Sequence, residues 1–268
     1  MLIGGIILLV VAVVCAFIAR SQVKKLDDLN AADSYTSQML TELHSKVVGS
    51  LGREALAETC DIEGVIECEA PLGAPLSGTP CVAYTLTVQR EYEEKVTSTD
   101  SEGRKTTRVQ RGSEVMERNE NKVDFWIRDD TGRVIVHPEE AELDLVQSKE
   151  QYQPVENHSR GTELDFGLFK FKVPAGSGGT GRHTLGYKVT EEVLETGIHV
   201  YVLGCASDYN GQPAITVHPK NSSRFMISRR TERELANSAA SLSRNLYFAA
   251  AGTGMLGVLL LLLGLVMV

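Results

Sequence analysis

His137 and its acidic neighbours are the side chains in this sequence best placed to do chemistry. It lies close along the chain to Asp129, Asp130, Glu139 and Glu140. An imidazole among carboxylates can bind a metal ion or act as a general base. The same residues also suit the solvated edge of a β-hairpin, because charged side chains are mostly exposed, and this is the interpretation we favour. The other histidines have no neighbouring Cys or second His: His44, His158, His183, His199 and His218.

Five cysteines are scattered along the chain: Cys15, Cys60, Cys68, Cys81 and Cys205. They form no C-x-x-C pair and no pair of clusters at zinc spacing. We interpret those outside the N-terminal apolar segment mainly as small buried apolar side chains. A disulfide such as Cys60–Cys68 stays open if the domain faces an oxidising compartment.

Motifs for nucleotide binding or hydrolysis are missing from the sequence. The glycine-rich residues 176–181 lack the Lys-Ser/Thr of a phosphate loop, so we interpret them as a flexible loop. The sequence contains no G-x-S-x-G and no H-E-x-x-H. A net charge of −8 and a pI near 5.4 argue against nucleic acid as a partner. We therefore predict no catalytic, cofactor-binding or metal-ligating residue.

Each end of the chain is a long apolar segment. Residues 1–19 and 245–268 carry no Lys, Arg, Asp or Glu, so every such charge lies in 20–244. A helix of about 19 residues spans roughly 28 Å, close to the hydrocarbon thickness of a bilayer. A cleaved signal peptide would need a basic start and a small-residue cleavage site, which the first segment lacks. We predict transmembrane helices at 1–20 and 246–268, whose glycines permit close packing.

Basic side chains flank the two spans on their inner sides only. They are Arg20, Lys24 and Lys25 after the first span, and Arg224, Arg229, Arg230, Arg233 and Arg244 before the second. The positive-inside rule therefore places the central domain in the cytoplasm and both short termini outside. Two glycosylation sequons, at 157–159 and 221–223, would matter only in a lumenal domain.

Helical periodicity borders the central domain on both sides. Leu26, Leu29, Leu40 and Leu43 recur at helical spacings, which predicts a juxtamembrane helix over 21–50. A capping box from Thr231 to Glu234 predicts a second helix over 231–245 that runs into the second span. Residues 51–230 lie between these helices.

The pattern between the helices has a period of two, which is typical of strands. Strands are predicted at 60–66, 81–88, 123–127, 133–136, 187–189, 198–203, 214–217 and 225–227. A turn or short helix is expected at 191–197. The balanced, charge-rich residues 89–122 predict either two long polar strands in a protruding hairpin or a partly mobile excursion of the chain. Short strands separated by turns favour a mainly β barrel or sandwich with α+β margins, between two transmembrane helices.

Several of these segments together resemble the GIDE-domain family. They are residues 70–84, the segment from Phe125 to Pro138, the segment from Glu192 to Gly204, and residues 224–228. Their order and the two flanking spans match, so the likeness covers nearly the whole chain. The best-known relatives are mitochondrial outer-membrane and plastid E3 ubiquitin ligases, whose middle domain is regarded as a regulatory or partner-sensing module. The shorter form looks like a prokaryotic member.

The resemblance implies an architecture rather than a catalytic site. In those relatives the ligase activity belongs to a RING finger after the second span, and this sequence has no Cys/His ladder for two zinc ions. We therefore expect a membrane-anchored interaction or regulatory scaffold module that binds an unidentified protein, with oligomerisation possible. The alternatives are a ubiquitin-ligase function, by family association alone, or a membrane hydrolase.

Overall fold

The structure is a computed structural model that describes residues 2–99, 103–154, 163–173, 181–219 and 224–266. Both sequons and most of the glycine-rich segment lie outside the described residues. The elements in chain order are α1 (Leu2–Ala31), β1 (Asp33–Ser34), α2 (Ser37–Leu51), a 3-10 turn (Arg53–Ala55), β2 (Ala57–Glu67), β3 (Leu72–Gly73), β4 (Pro80–Thr99), β5 (Lys105–Lys122), β6 (Phe125–Asp129), β7 (Gly132–Val136), β8 (Glu142–Leu143), β9 (Val146–Pro154), β10 (Glu163–Asp165), β11 (Lys170–Lys172), β12 (Arg182–Glu195), β13 (His199–Tyr209), β14 (Gln212–Thr216), β15 (Met226–Ser228) and α3 (Glu232–Val266).

Five strands close into a barrel. Their spatial order is β2, β6, β7, β14 and β13, and β13 pairs back onto β2. Of these five pairings, only that of β7 with β14 is parallel. This order and its parallel pair are those of the OB-fold, a five-stranded Greek-key barrel. Alternate apolar residues of the strands fill the interior, among them Ile62, Ile66, Phe125, Ile127, Val134, Val136, Val200, Val202 and Ile215.

A second sheet is built from two insertions into the barrel. Its strands β3, β4 and β5 come from the chain between β2 and β6, whereas β9 and β12 come from the chain between β7 and β13. β4 lies at the centre, with β12 on one side and β5 on the other, and β9 pairs with the far side of β12. The sheet's core face, which carries Leu86 and Val88, packs against apolar side chains of the β10–β11 hairpin: Leu164, Phe166, Phe171 and Val173.

Two long apolar helices extend from the domain, one at each end of the described chain. α1 and α3 are each long and apolar enough to cross a bilayer. They approach closely at two glycines, since a Cβ on Gly257 would lie 3.1 Å from the carbonyl oxygen of Gly5. Near the domain, Leu29 of α1 and Leu235 of α3 pack with barrel residues such as Tyr201. These contacts attach both helices directly to the β-rich domain.

The mainly β fold between two apolar helices is confirmed, with three differences in detail. The continuous helix expected through residue 50 is divided, because β1 pairs with β2 between α1 and α2. Residues 191–195 continue β12 as a strand, so the turn or short helix expected over 191–197 is wrong except at 196–197, which form a turn. The strands β9, β10 and β11 were not predicted, because they have few apolar residues in alternation.

Candidate functional site

A histidine–aspartate pair joins α2 to the end of β13. Nε2 of His44 lies 2.7 Å from Oδ2 of Asp208, and both side chains are largely buried. The other oxygen of Asp208 accepts a hydrogen bond from the backbone N–H of Gly211 at 3.1 Å. The hydrogen bond from His44 is the main cause that lowers the pKa of Asp208 from its ordinary value. Sequence reasoning missed this pair because its members are 164 positions apart.

A second such pair lies nearby on the barrel. Nδ1 of His137 is 2.6 Å from Oδ1 of Asp124, and the imidazole stacks on Tyr209 with a centroid distance of 4.8 Å. Tyr209 directly follows Asp208, so this ring lies next to the first pair in the chain. The structure therefore pairs His137 with Asp124, which directly precedes β6, rather than with one of the four carboxylates considered from the sequence.

Those four carboxylates have other surroundings. Asp129 accepts hydrogen bonds from the N–H groups of Ser37 and Thr131, both at 2.7 Å. Asp130, Glu139 and Glu140 are exposed. Within the described ranges, no group of three metal-ligating side chains comes together. Asp129 thus has a structural role at the start of α2, and Asp130, Glu139 and Glu140 lie on the exposed edge of the hairpin.

Beside the first pair is a cavity of about 520 Å³. Its lining includes Arg53, Leu56, Ser207, Tyr209 and Thr216. The hydroxyl groups of Ser207 and Thr216 are hydrogen-bonded to each other, with 3.0 Å between their oxygens. The His–Asp pairs can orient an imidazole and move a proton, but no described Ser, Thr or Cys is hydrogen-bonded to either imidazole. This geometry gives a hydrolase no positive support.

All five cysteines are free thiols. Burial raises the pKa of Cys60 to about 12 and those of Cys81 and Cys205 to about 11. Thiols with such a pKa are protonated at neutral pH and are poor nucleophiles. The buried cysteines therefore act as apolar packing groups.

His199, the histidine at the start of β13, is exposed on its strand.

A buried carboxylate fastens the second sheet to the chain segment before β4. Glu191 is fully buried and accepts a hydrogen bond from the N–H of Leu76 at 2.5 Å and from Oγ of Ser148 at 2.5 Å. A cavity of about 530 Å³ opens next to it, lined partly by Ser77 and Lys149. The sequence signal for this site was a glutamate at an apolar position of the alternation Tyr187, Val189, Glu191, Val193.

Charged side chains join the middle of β4 and β5 to the start of β12. Glu114 lies 3.0 Å from Nη2 of Arg90 and 3.4 Å from Nη1 of Arg182. Both guanidinium groups lie against the ring of Tyr92, at 5.3 and 4.5 Å from its centroid. Arg90 is only 2% exposed. This cluster fixes the base from which the outer part of β4 and β5 projects.

The distal ribbon, residues 95–99 and 105–109, is the part of β4 and β5 that extends beyond the third strand. β12 begins at Arg182, opposite Glu94, so the ribbon has no described neighbour on the β12 side. In the described chain β5 pairs only with β4, which leaves its outer backbone edge unpaired over Lys105–Lys122. The predicted protruding hairpin at 89–122 is thus confirmed in the described residues. Unpaired strand edges are templates for pairing with another chain.

Comparison with known proteins identifies one family. The sequence model of the GIDE family, described as E3 Ubiquitin ligase, matches residues 93–264, which is more than half of the chain. Searches of the curated proteins and of the solved structures each gave no significant match. The matched range runs from the ribbon through the barrel strands β6, β7, β13 and β14 into α3. The chain therefore belongs to the GIDE family.

Proposed function

We propose that the chain is a membrane-anchored interaction or regulatory scaffold module whose second sheet recognises a protein partner. The observation that carries this proposal is the distal ribbon with the unpaired edge of β5. A strand edge of this length offers backbone N–H and C=O groups to an extended segment of a partner. The barrel then serves as the base that holds the sheet.

The helices support a fixed presentation of this sheet. Because Leu29 and Leu235 pack with Tyr201 and Leu203 of the barrel and with Met226 of β15, the domain cannot turn freely about its membrane attachments. A partner-binding surface held at one orientation loses less entropy on binding. This favours recognition beside the membrane over a freely tethered domain.

The basic residues next to both spans support a cytoplasmic domain with outer termini. In a background with Cys15→Ser and Cys68→Ser, the substitution Glu140→Cys at an exposed position reports on which side of the membrane the domain lies. We expect a membrane-impermeant maleimide to label it only after cells are permeabilised. Labelling of intact cells would place the domain outside.

Proximity labelling with the full chain tests the recognition role. In one variant Asn-Gly replaces residues 97–107, so that the pair Val96–Arg108 flanks a two-residue turn. The control variant Tyr152→Ser alters an exposed side chain on the opposite edge of the sheet. We expect the shortened variant, but not the control, to lose a specific set of labelled neighbours. Identical neighbour sets for all three chains would contradict the proposal.

Ubiquitin transfer is a second candidate, supported by the family description alone. Reconstitution of the full chain with ubiquitin, E1 and a panel of E2 enzymes tests it. The interaction proposal predicts no conjugate formation by this chain alone. Conjugates that require the chain would assign it the ligase function instead.

A further inference from the structure

The unpaired edge of β5 carries one exposed valine at the same distance on each side of Gly112. Two valines on the outer face of the sheet, opposite the core face, are strongly exposed: Val109 at 60% and Val115 at 57%. Each lies three residues from Gly112, and their even spacing puts them on the same face of the strand. Exposed valines on a strand edge indicate a surface that gains stability when it is covered.

Charge is distributed unevenly on the two sides of Gly112. The part before it carries Lys105, Arg108 and Arg111 and no acidic residue in the described strand. The part after it carries the acidic residues Glu114, Glu117 and Glu120, together with Arg118 and Lys122. An antiparallel second copy of β5 brings each basic half against the half that contains the glutamates. A parallel copy would instead place like charges side by side, which is unfavourable.

We infer that β5 pairs antiparallel with β5 of a second copy of this chain, with Gly112 opposite Gly112. This inference rests on the proposed role of the second sheet as a recognition surface and names its partner. In this register Val109 faces Val115 of the other copy twice, and Gln110 faces Glu114. No residue pair from 109 to 115 has like charges opposite each other.

The register also satisfies the symmetry and steric conditions for a dimer. A two-fold axis normal to the sheet through Gly112 keeps the outer faces on one side, and the contact closes without extending into a fibre. Gly112 has no side chain at the axis. Its own core face is covered by Tyr92, whose ring carbon would lie 2.8 Å from a Cβ. The two strands can therefore approach to ordinary sheet spacing, and the five-stranded second sheets of the two copies become one continuous sheet.

The mass of the full chain in detergent tests whether the pair exists. This measurement applies both to two copies in one membrane and to copies that face each other from two membranes. We expect the mass from light scattering to be twice 29.2 kDa, after subtraction of detergent. The double substitution Val109→Lys/Val115→Lys should lower the mass to 29.2 kDa, because a lysine of one copy then faces a lysine of the other on each side of the two-fold axis. The control Val96→Lys changes an exposed valine on β4 that lies off this edge and should leave the dimer intact. A monomeric wild type, or a dimer that survives the double substitution, overturns the inference.

Cysteine pairs test the register. Residues directly opposite in an antiparallel pair are close enough for a disulfide. In the background with Cys15→Ser and Cys68→Ser, the double variant Val109→Cys/Val115→Cys should form a covalent dimer under mild oxidation. Each single variant should give about tenfold less, since its cysteine faces a valine. Equal cross-linking by a single variant contradicts the register.

The two proposals fail in different ways. A monomeric chain whose neighbour set still depends on the distal ribbon would overturn the dimer and leave the interaction role in place. A dimer whose neighbour set is unaffected by the shortened ribbon would keep the pairing of β5 with β5 and overturn the recognition role of the distal ribbon.

Discussion

At the scale of single residues, carboxylates connect segments that are distant in the sequence. Asp129 closes the turn after β6 through Thr131, and its other oxygen accepts from the N–H at the start of α2. Burial raises its pKa, but these hydrogen bonds outweigh burial and the net pKa is lowered. Asp129 thus fixes α2, and with it His44, against the barrel.

Asp129→Asn is expected to lower stability at neutral pH by about 1 kcal/mol, because one hydrogen-bonded oxygen is lost at a partly exposed site. A carboxylate with a lowered pKa in the folded state stabilises above its unfolded pKa. That contribution disappears as pH falls through the folded value, which lies below 3.8. Thermal unfolding should therefore show a difference that is constant above pH 5 and shrinks in acid. The exposed neighbour Asp130→Asn is the matched control and should leave thermal stability at neutral pH nearly unchanged.

Glu191→Leu should reduce the free energy of unfolding by about 2 kcal/mol, because the buried N–H of Leu76 loses its acceptor. The exposed Glu192→Leu is the matched control and should be close to neutral. Thermal denaturation of the detergent-solubilised chain measures both. Equal melting temperatures for the two variants would show that Glu191 does not fasten the segment before β4.

At the scale of elements, two glycines let barrel strands approach closely. A Cβ on Gly64 of β2 would lie 2.6 Å from the carbonyl oxygen of Arg128, at the β2–β6 pairing. A Cβ on Gly204 of β13 would lie 2.6 Å from Cγ2 of Ile215. The small radius of a five-stranded barrel therefore depends on the absence of side chains at these positions.

Gly64→Ala should destabilise the domain by about 1–3 kcal/mol, because the backbone carbonyl of Arg128 cannot move aside without opening the barrel. Gly73→Ala is the matched control, since a Cβ there meets nothing within 4 Å. Denaturant unfolding followed by the fluorescence of the single Trp126, on β6, reports the change at the affected strand. A Gly64→Ala chain as stable as the control would contradict the close approach.

The sequence predicts the elements that bury an apolar face. It misses the polar strands that are held only by backbone hydrogen bonds to a neighbouring strand. The buried residues of β6 alternate, and β13 is a nearly continuous apolar run that is buried on both faces. In contrast, β9 is a polar edge strand held by its hydrogen bonds to β12. The end of β12 was misread because Glu191 interrupts the apolar alternation. One continuous helix was predicted from Leu26 to Leu43, because the leucine spacing continues across residues 32–36, where the structure separates α1 from α2. His137 was singled out from local neighbours, but the pair of His44 with Asp208 depends on tertiary structure and has no local signal.

At the scale of the whole molecule, a helical hairpin anchors a barrel and a sheet. The predicted glycine contacts in the second span are refined by the structure: Gly257 meets Gly5 and Gly254 meets Ala12, while a Cβ on Gly252 would meet nothing within 4 Å. Small residues at a helix crossing permit close backbone packing in lipid. The two membrane helices are therefore one antiparallel unit rather than two independent tethers.

Ala12→Cys with Gly254→Cys is expected to form an intramolecular disulfide on mild oxidation. A Cβ on Gly254 lies 3.6 Å from that of Ala12, within the range for a disulfide. Ala12→Cys with Gly252→Cys is the control and should remain reduced. Mobility on non-reducing gels, with Cys15→Ser in both backgrounds, measures the bond. Equal oxidation of both pairs would mean that the helices have no fixed packing.

The first insertion leaves and re-enters the barrel at adjacent points. Glu67 at the end of β2 pairs directly with Trp126 near the start of β6, although the chain between them builds β3, β4 and β5. The strand ends at this junction are already positioned as in a simple β-hairpin. Evolution can therefore lengthen, shorten or exchange this excursion without rebuilding the barrel wall. Proteins that keep the same anchor can in this way acquire different binding specificities.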